Sequence, residues 1–303
     1  MRYLVTGAAG FIGSHLAQAL AAAGHDVQGI DCFTDYYDVE LKEENARGLD
    51  IQRLDLAEDA LDFGGFDGVF HLAGQPGVRS FGDVFPLYLR RNLLASQRVF
   101  EAAARDGVKV VFASSSSIYG AAERYPTPED TAPHPISPYG ITKLGCEHLA
   151  EAHAREFGLD CVVLRYFNAF GPRQRPDMAF TRIVVALAEG RPFDLHGDGG
   201  QSRGWTYVGD IVDGTILAMT GGSGTYNVGG ALEASMNEAI ALLERISGRV
   251  LEQRRHPPVA GDQRRTQADT TRIRHELGWE PKVSLEEGLA RQWEWASAKL
   301  AAG

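Results

Sequence analysis

The run Gly7-Ala8-Ala9-Gly10-Phe11-Ile12-Gly13 follows directly on the apolar Tyr3-Leu4-Val5, and its position constrains the fold more than its glycines do. A buried strand that enters such a turn and leaves it as a helix, expected over Phe11-Ala23, is the opening of a βαβ unit. The helix N-terminus points unpaired N–H groups and a partial positive charge at the turn, which suits a pyrophosphate. Gly7, Gly10 and Gly13 let phosphates approach the backbone and let helix and strand pack closely. The first interval of this G-x-x-G-x-x-G spacing is one residue longer than in the G-x-G-x-x-G dehydrogenase pattern. A glycine turn can also be a plain tight connection; its place between a first strand and a first helix favours the dinucleotide.

Apolar strand-like runs recur at Tyr3-Thr6, Val27-Ile30, Ile51-Leu54, Gly68-Leu72, Val108-Ala113 and Cys161-Tyr166, with helical stretches at Asn92-Asp106 and Pro138-Phe157. Such alternation implies crossovers and a parallel sheet covered on both faces. The expected fold is α/β: a Rossmann-type doubly wound parallel sheet with a smaller C-terminal α/β substrate-binding domain. Residues 1–170 are expected to bind the dinucleotide, with a return segment near 205–230, and residues 171–303 mainly the substrate. The segment from Gly171 to Gly204 is rich in Pro, Arg and Gly; helices are expected again near Ile211-Thr220, Ser235-Ser247 and Leu285-Leu300.

With 303 residues, 44% of them hydrophobic and 23% charged, the chain can bury a large core. A net charge of -10 argues against nucleic acid as a partner, since phosphate binding rests on clustered Lys and Arg. No apolar stretch is long enough to span a bilayer, and no secretory signal fits ahead of the first strand. Cys32, Cys146 and Cys161 lack C-x-x-C spacing and read as reduced thiols of a cytoplasmic protein. No His spacing suggests a metal; His71, inside an apolar strand end, reads as core.

Asp31 closes the second strand, where a carboxylate can accept both ribose hydroxyls of an adenosine. No basic residue follows in Cys32-Phe33-Thr34-Asp35, which favours NAD over NADP. Tyr139 and Lys143 stand four apart in Ser137-Pro138-Tyr139-Gly140-Ile141-Thr142-Lys143 and so share one helix face. A tyrosine serves as general base only where a nearby cation favours its phenolate, and Lys143 supplies one. The cluster Ser114-Ser115-Ser116-Ser117 follows a strand and so falls at the carboxyl edge of the sheet, where ligands of open α/β folds bind.

Together these motifs make the chain resemble an extended short-chain dehydrogenase/reductase of the NAD-dependent nucleotide-sugar epimerase/dehydratase family. The resemblance covers nearly the whole chain, and it rests also on Asp55-Leu56, His71-Leu72-Ala73-Gly74, Ser114 to Gly120, Arg165-Tyr166-Phe167-Asn168 and Gly171-Pro172-Arg173. It implies Ser115, Tyr139 and Lys143 as the catalytic set. Asp55 and Leu56 are then expected by the adenine. Leu72, Ala73, Gly74, Gln75 and Asn92 border the cofactor together with Cys32, and Phe167 lies near the nicotinamide.

The residues after Ser115 separate the branches of that family. Dehydratases resembling this chain carry an Asp-Glu pair there, and decarboxylases a Glu two residues on; here both places are serine, Ser116 and Ser117. What remains is 4-epimerisation through a transient 4-keto sugar. The stretches Asp35 to Val39, Leu41-Lys42, Gln75 to Arg79 and Arg175 to Ala179 resemble UDP-glucuronate 4-epimerases. Arg175, Ser116 and Ser117, with Arg79 nearby, are expected at the C6 carboxylate. Arg182, Arg203 and Arg265 are expected near the diphosphate. Asn168 departs from the Thr usual in glucuronate epimerases and matches UDP-glucose epimerases instead. The alternatives are therefore a UDP-glucose/UDP-galactose 4-epimerase, a UDP-glucuronate decarboxylase, or a non-catalytic NAD-binding sensor. A homodimer is expected, with Leu93, Val99, Leu144 and Leu149 as apolar positions that either pair across a two-fold axis or cover their own sheet.

Overall fold

Seven strands run parallel in one sheet: β1 (Arg2–Thr6), β2 (Asp26–Asp31), β3 (Asp50–Arg53), β4 (Gly68–His71), β5 (Val110–Ser115), β6 (Cys161–Tyr166) and β7 (Gly224–Val228). Their order is β7-β6-β5-β4-β1-β2-β3, with every neighbouring pair parallel. This is the α/β, Rossmann-type architecture expected from the sequence, and its order reverses between β1 and β4, where ligands of such sheets bind. The structure is a computed structural model and describes residues 1–77, 82–230, 232–258 and 263–302.

Strands buried on both faces need apolar residues at successive positions, and the central strands have them. Val5, Phe70, Val111 and Leu164 face one core with Leu16, Ile211 and Trp279. Their neighbours Leu4, Val69, Val110 and Val163 face the other with Val99, Phe100 and Cys146. The covering helices are α1 (Phe11–Ala22), α3 (Ala95–Asp106), α4 (Pro138–Phe157) and α6 (Val208–Gly221); the short α2 (Val39–Asn45) starts at Asp38, whose carboxylate caps the Glu40 N–H at 2.9 Å. The helix expected from Asn92 begins instead at Ala95, after a π-helical turn over Leu89–Leu94. That widened turn carries Asn92 into the interior, 1% exposed.

A third core joins Phe170, Phe180, Leu195, Tyr207, Leu243 and Leu289, from α5 (Ala179–Glu189), α7 (Met236–Ser247), α9 (Leu285–Ala302) and short two- and three-stranded sheets. α5 lies within the stretch rich in Pro, Arg and Gly, for which no helix is expected above. Its ends are punctuated by those residues, and the eleven between them are helical. α8 (Thr271–Leu277) leads to Trp279, whose indole N–H donates to the Asp210 carbonyl at 2.8 Å.

His71 ties the centre of the sheet together, as a core residue should. The Ala73 N–H donates to Thr6 Oγ1 at 3.2 Å, so the Thr6 hydroxyl proton is free to go to His71 Nδ1, 2.8 Å away. The ring is then protonated on Nε2, 3.0 Å from Ser96 Oγ. Burial first, and the Lys143 cation second, push His71 down to about 3. The unfolded ring keeps its ordinary value near 6.5, so between the two values the unfolded chain binds the extra proton. Stability from the neutral ring is therefore whole above about pH 6.5 and is lost as pH falls towards 3. Lowering pH from 6.5 to 5 should cost about 2 kcal/mol through this one ring. Urea midpoints should fall less steeply with pH in His71→Gln than in the parent; parallel slopes would acquit the ring.

Candidate active site

An open cleft, about 1140 Å³ with the solvent at its mouth counted in, runs along the carboxyl ends of the strands and is lined by Asp31, Leu56, Tyr139 and Arg175 among others. The glycine turn forms its floor. Gly7 has φ +71°, and a Cβ there would stand 2.9 Å from the Ala73 backbone. At Gly13 a Cβ would reach 2.1 Å from the Gly7 carbonyl. The turn is therefore as tight as backbone allows. α1 starts at Gly10 with no side-chain cap, so its N-terminal dipole faces the cleft over Phe11 and Ile12. This cradle fits the pyrophosphate of a dinucleotide.

Asp31 Oδ2 accepts from the Ala9 N–H at 3.1 Å and Oδ1 from the Phe33 N–H at 2.8 Å. Each oxygen keeps lone-pair capacity for a ribose hydroxyl. Cys32, Asp55, Leu56, Leu72, Ala73, Gly74 and Gln75 line the same cleft. The Arg90 guanidinium and the Ala57 N–H hold the Asp55 carboxyl below its ordinary range, overriding the opposing and largest effect, desolvation. Asn92 stands behind the wall: Oδ1 accepts from the Gln75 N–H at 2.7 Å and Nδ2 donates to Thr142 Oγ1 at 3.0 Å. It shapes the Gln75 backbone from inside the protein. Phe167 is packed against Ile118 and Tyr119; its neighbour Tyr166 lines the cleft.

Tyr139 and Lys143 meet in the cleft on α4. Lys143 is 4% exposed, and its Nζ donates to the Ala113 carbonyl at 2.8 Å, with the Tyr139 ring centroid 6.0 Å away. β5 extends to Ser115, two residues beyond the expected end. Ser114 therefore lines the cleft, whereas Ser115, the strand's last residue, caps the turn that follows: its Oγ accepts from the Ser117 N–H at 3.1 Å. Ser116 and Ser117 lie in that turn. A Cβ on Gly140 would meet the Ser117 carbonyl at 2.5 Å, so the serine turn packs directly on the helix next to Tyr139.

Arg175 reaches the cleft already engaged by Asp177, which accepts from Nε at 2.9 Å and Nη2 at 3.0 Å. Asn168 sits at φ +41°, a left-handed backbone that Asn tolerates better than β-branched residues. Its Nδ2 donates to Thr266 Oγ1 at 2.9 Å. Arg203 and Arg265 lie on adjacent short strands, Ser202–Gly204 and Arg265–Thr266. Arg203 Nη1 donates to the Ser202 carbonyl at 2.8 Å, and Arg265 Nε to Glu233 at 2.7 Å. Arg182 and Arg203 line a second cavity, of about 660 Å³, with Phe193 and Trp205. Of the expected arginines, Arg175 thus lines the cleft, Arg182 and Arg203 line this cavity, and Arg265 lines neither. Arg79 lies outside the described residues.

Lys42 was not expected at the site as an individual residue. From α2 it lines the cleft, 5% exposed, with Nζ donating to the Thr34 carbonyl at 2.6 Å and Thr34 Oγ1 at 2.8 Å. Burial pulls its ammonium below the ordinary lysine range. The only signal was its place in the Leu41-Lys42 pair, because α2 interrupts the βαβ rhythm. Among the described residues no cluster of three or more His, Cys, Asp or Glu is arranged to hold a metal.

Residues 3–229 match the model of the NAD dependent epimerase/dehydratase family. The chain is 40% identical over 313 residues to an uncharacterized UDP-glucose epimerase, YtcB, of Bacillus subtilis (strain 168), covering 98% of both chains. To the UDP-glucuronate 4-epimerase of Thermodesulfobacterium geofontis (strain OPF15) it is 36% identical, covering 98% of this chain and 97% of the relative. The crystal structure of UDP-glucuronic acid 4-epimerase from Bacillus cereus, in complex with UDP-glucuronic acid and NAD, superposes with a TM-score of 0.95 at 38% identity. That match spans 99% of this chain and 100% of the other.

If Asp31 holds the ribose, Asp31→Asn should weaken binding of NAD about ten- to hundredfold, the worth of a hydrogen bond to a charged group. Calorimetric titration measures it, with circular dichroism to check the fold; unaltered affinity would remove Asp31 from the site.

Proposed function

We propose that this chain, which belongs to the NAD-dependent epimerase/dehydratase family, inverts C4 of a UDP-sugar, converting UDP-glucuronate to UDP-galacturonate. NAD, which the glycine turn and Asp31 would hold in the cleft, would supply a reversible hydride acceptor for C4, so that the sugar could be oxidised to the 4-keto form and reduced again on its other face. Tyr139 takes the C4 hydroxyl proton and gives it back, and the buried Lys143 charge favours its phenolate. Ser115 hydrogen-bonds the reacting oxygen. Residues 1–170, with the return segment 205–230, hold the cofactor, and the rest of 171–303 holds mainly the nucleotide sugar. Arg182, Arg203 and Arg265 receive the diphosphate, against the chain's overall negative charge.

The observation that carries the choice of sugar is Arg175, a cation lining the same cleft as Tyr139. Asp177 already neutralises it through Nε and Nη2; we assign the Nη1 edge, with Ser116 and Ser117, to the C6 carboxylate. Asn168 and the Bacillus subtilis relative favour a second reading, in which the sugar is UDP-glucose. Incubating the protein with each UDP-sugar, with and without NAD, and following C4 configuration by NMR decides between them. Turnover of glucuronate alone supports the carboxylate role; turnover of glucose alone makes Asn168 the better guide. Tyr139→Phe should abolish either reaction while leaving NAD binding intact.

We also propose a cytoplasmic homodimer, supported by the three free cysteines and by an exposed apolar face. Val99 is fully buried in its own subunit, and Leu93 and Leu149 pack against the same core, so these positions cover their own sheet. Leu144 does likewise beside Ile118 and Tyr119. The exposed apolar residues among the described ones include instead Phe85, Leu89, Leu94 and Ile141, with Leu94 at 47% and Ile141 at 52%, carried by elements that pack against one another. Light scattering at micromolar concentration should give twice the chain mass, and Leu94→Glu with Ile141→Arg should halve it.

A further inference from the structure

A buried ion pair that has no part in the chemistry above lies directly beneath the serine turn. Arg165 on β6 and Glu147 on α4 are each 9% exposed at the side chain. Arg165 donates from Nε to Glu147 Oε1 at 3.1 Å and from Nη2 to Oε2 at 2.7 Å, a bidentate fork. Its remaining arm, Nη1, donates to Tyr119 OH at 2.7 Å and to the Glu129 carbonyl at 2.9 Å.

The sheet register explains why these groups meet. Ser114, Arg165 and Asn227 are directly paired across β5, β6 and β7, so their side chains share a face. Ser114 Oγ donates to Glu147 Oε1. Tyr119 OH donates to Asn227 Oδ1 at 2.8 Å, and burial pushes that phenol up to about 12, so it remains a donor. Asn227 in turn donates through Nδ2 to the Thr127 carbonyl at 2.9 Å. The network therefore grips the serine turn at both ends, at Ser114 before it and at Tyr119 after it. Gly140 closes it from the side, against the Ser117 carbonyl. Glu147 stands four residues beyond Lys143 and eight beyond Tyr139 on α4, so one helix carries the proposed base, its cation and this anchor on neighbouring turns.

We infer that Glu147 and Arg165 are positioning residues, which hold the turn Ser115–Ser117 at a set distance from Tyr139 and Lys143. Burying two charges is a costly way to fill a core, and an apolar pair of the same shape often serves stability as well or better. What the pair supplies here is direction: a carboxylate with fixed lone pairs and a planar fork tie three strands, one helix and one turn into a single body. The inference deepens the proposed epimerase reading, since it gives the serine turn its place beside the reacting carbon.

Glu147→Gln and Tyr119→Phe test it through two readouts on the intact protein. Displacing a catalytic group by about 1 Å can cost about a hundredfold in rate. Glu147→Gln should therefore lower kcat about a hundredfold with KM changed less than about threefold, and Tyr119→Phe should do the same more weakly. Hydrogen exchange without substrate should accelerate in residues 114–120 while the peptides of β1 and β4 keep their protection. A lowered melting temperature with unchanged kcat, or exchange that accelerates across the whole sheet, would overturn the inference and leave the pair a purely structural element. Should the parent protein turn over neither UDP-glucuronate nor UDP-glucose, the epimerase reading fails, and the exchange pattern still decides the positioning role. Should Glu147→Gln fail to fold, Tyr119→Phe, which removes one hydroxyl, decides it instead.

Discussion

Seven parallel strands bring their carboxyl ends to one edge of the sheet, and a parallel sheet holds together only while both of its faces are buried. Both conditions shape the site. The apolar side chains that bury the faces confine polar groups to the strand ends and the turns that follow. There they gather: the glycine turn after β1, Asp31 at the end of β2, Gln75 after β4, Ser114 near the end of β5 and Tyr166 at the end of β6 all line one cleft. Because the strand order reverses between β1 and β4, the turns leaving those strands diverge to opposite faces and open the gap in which a dinucleotide lies.

The polar groups near that gap are held by partners that leave part of each group available. Lys143 is buried against the Ala113 carbonyl, which fixes its ammonium near the Tyr139 ring without an anion to cancel its charge in that contact. Asp31 accepts one backbone N–H on each oxygen and keeps further lone pairs free of those contacts. Arg175 is neutralised by Asp177 on one edge. His71, by contrast, is satisfied at both nitrogens and stays neutral, which spares the core a second cation next to Lys143. The Arg165–Glu147 pair is the most heavily bonded of these groups, and neither of its side chains lines the cleft. That is the arrangement expected of a support rather than a reactant.

Much of this was legible along the chain because its signals are local. A strand, a tight glycine turn and a helix follow one another within the first 22 residues, and the four-residue step from Tyr139 to Lys143 needs only a helix to bring both to one face. Asp31 ends its strand as expected. Lys42 was harder to read, because it arrives from a seven-residue helix whose presence depends on the Asp38 cap. The choice between the two readings of the apolar helix positions was closed to the sequence for a related reason. Apolar periodicity identifies the buried side of a helix, but Leu94 and Ile141 lie outside the stripe that covers the sheet, and only packing reveals which residues remain uncovered.

The amino-acid sequence by itself determined the class of fold, the dinucleotide turn and the Tyr139–Lys143 pair, since each rests on the conformational preferences of a few neighbouring residues. The tertiary structure decided what depends on register and on contacts between distant elements. Two extra residues of β5 turn Ser114 towards the cleft and make Ser115 the cap of the next turn. A positive φ suits Asn168. The pairing of Ser114, Arg165 and Asn227 across three strands joins residues 113 positions apart in the chain, from 114 to 227. No local pattern encodes that row, because strand alignment is set by the whole sheet burying both its faces at once.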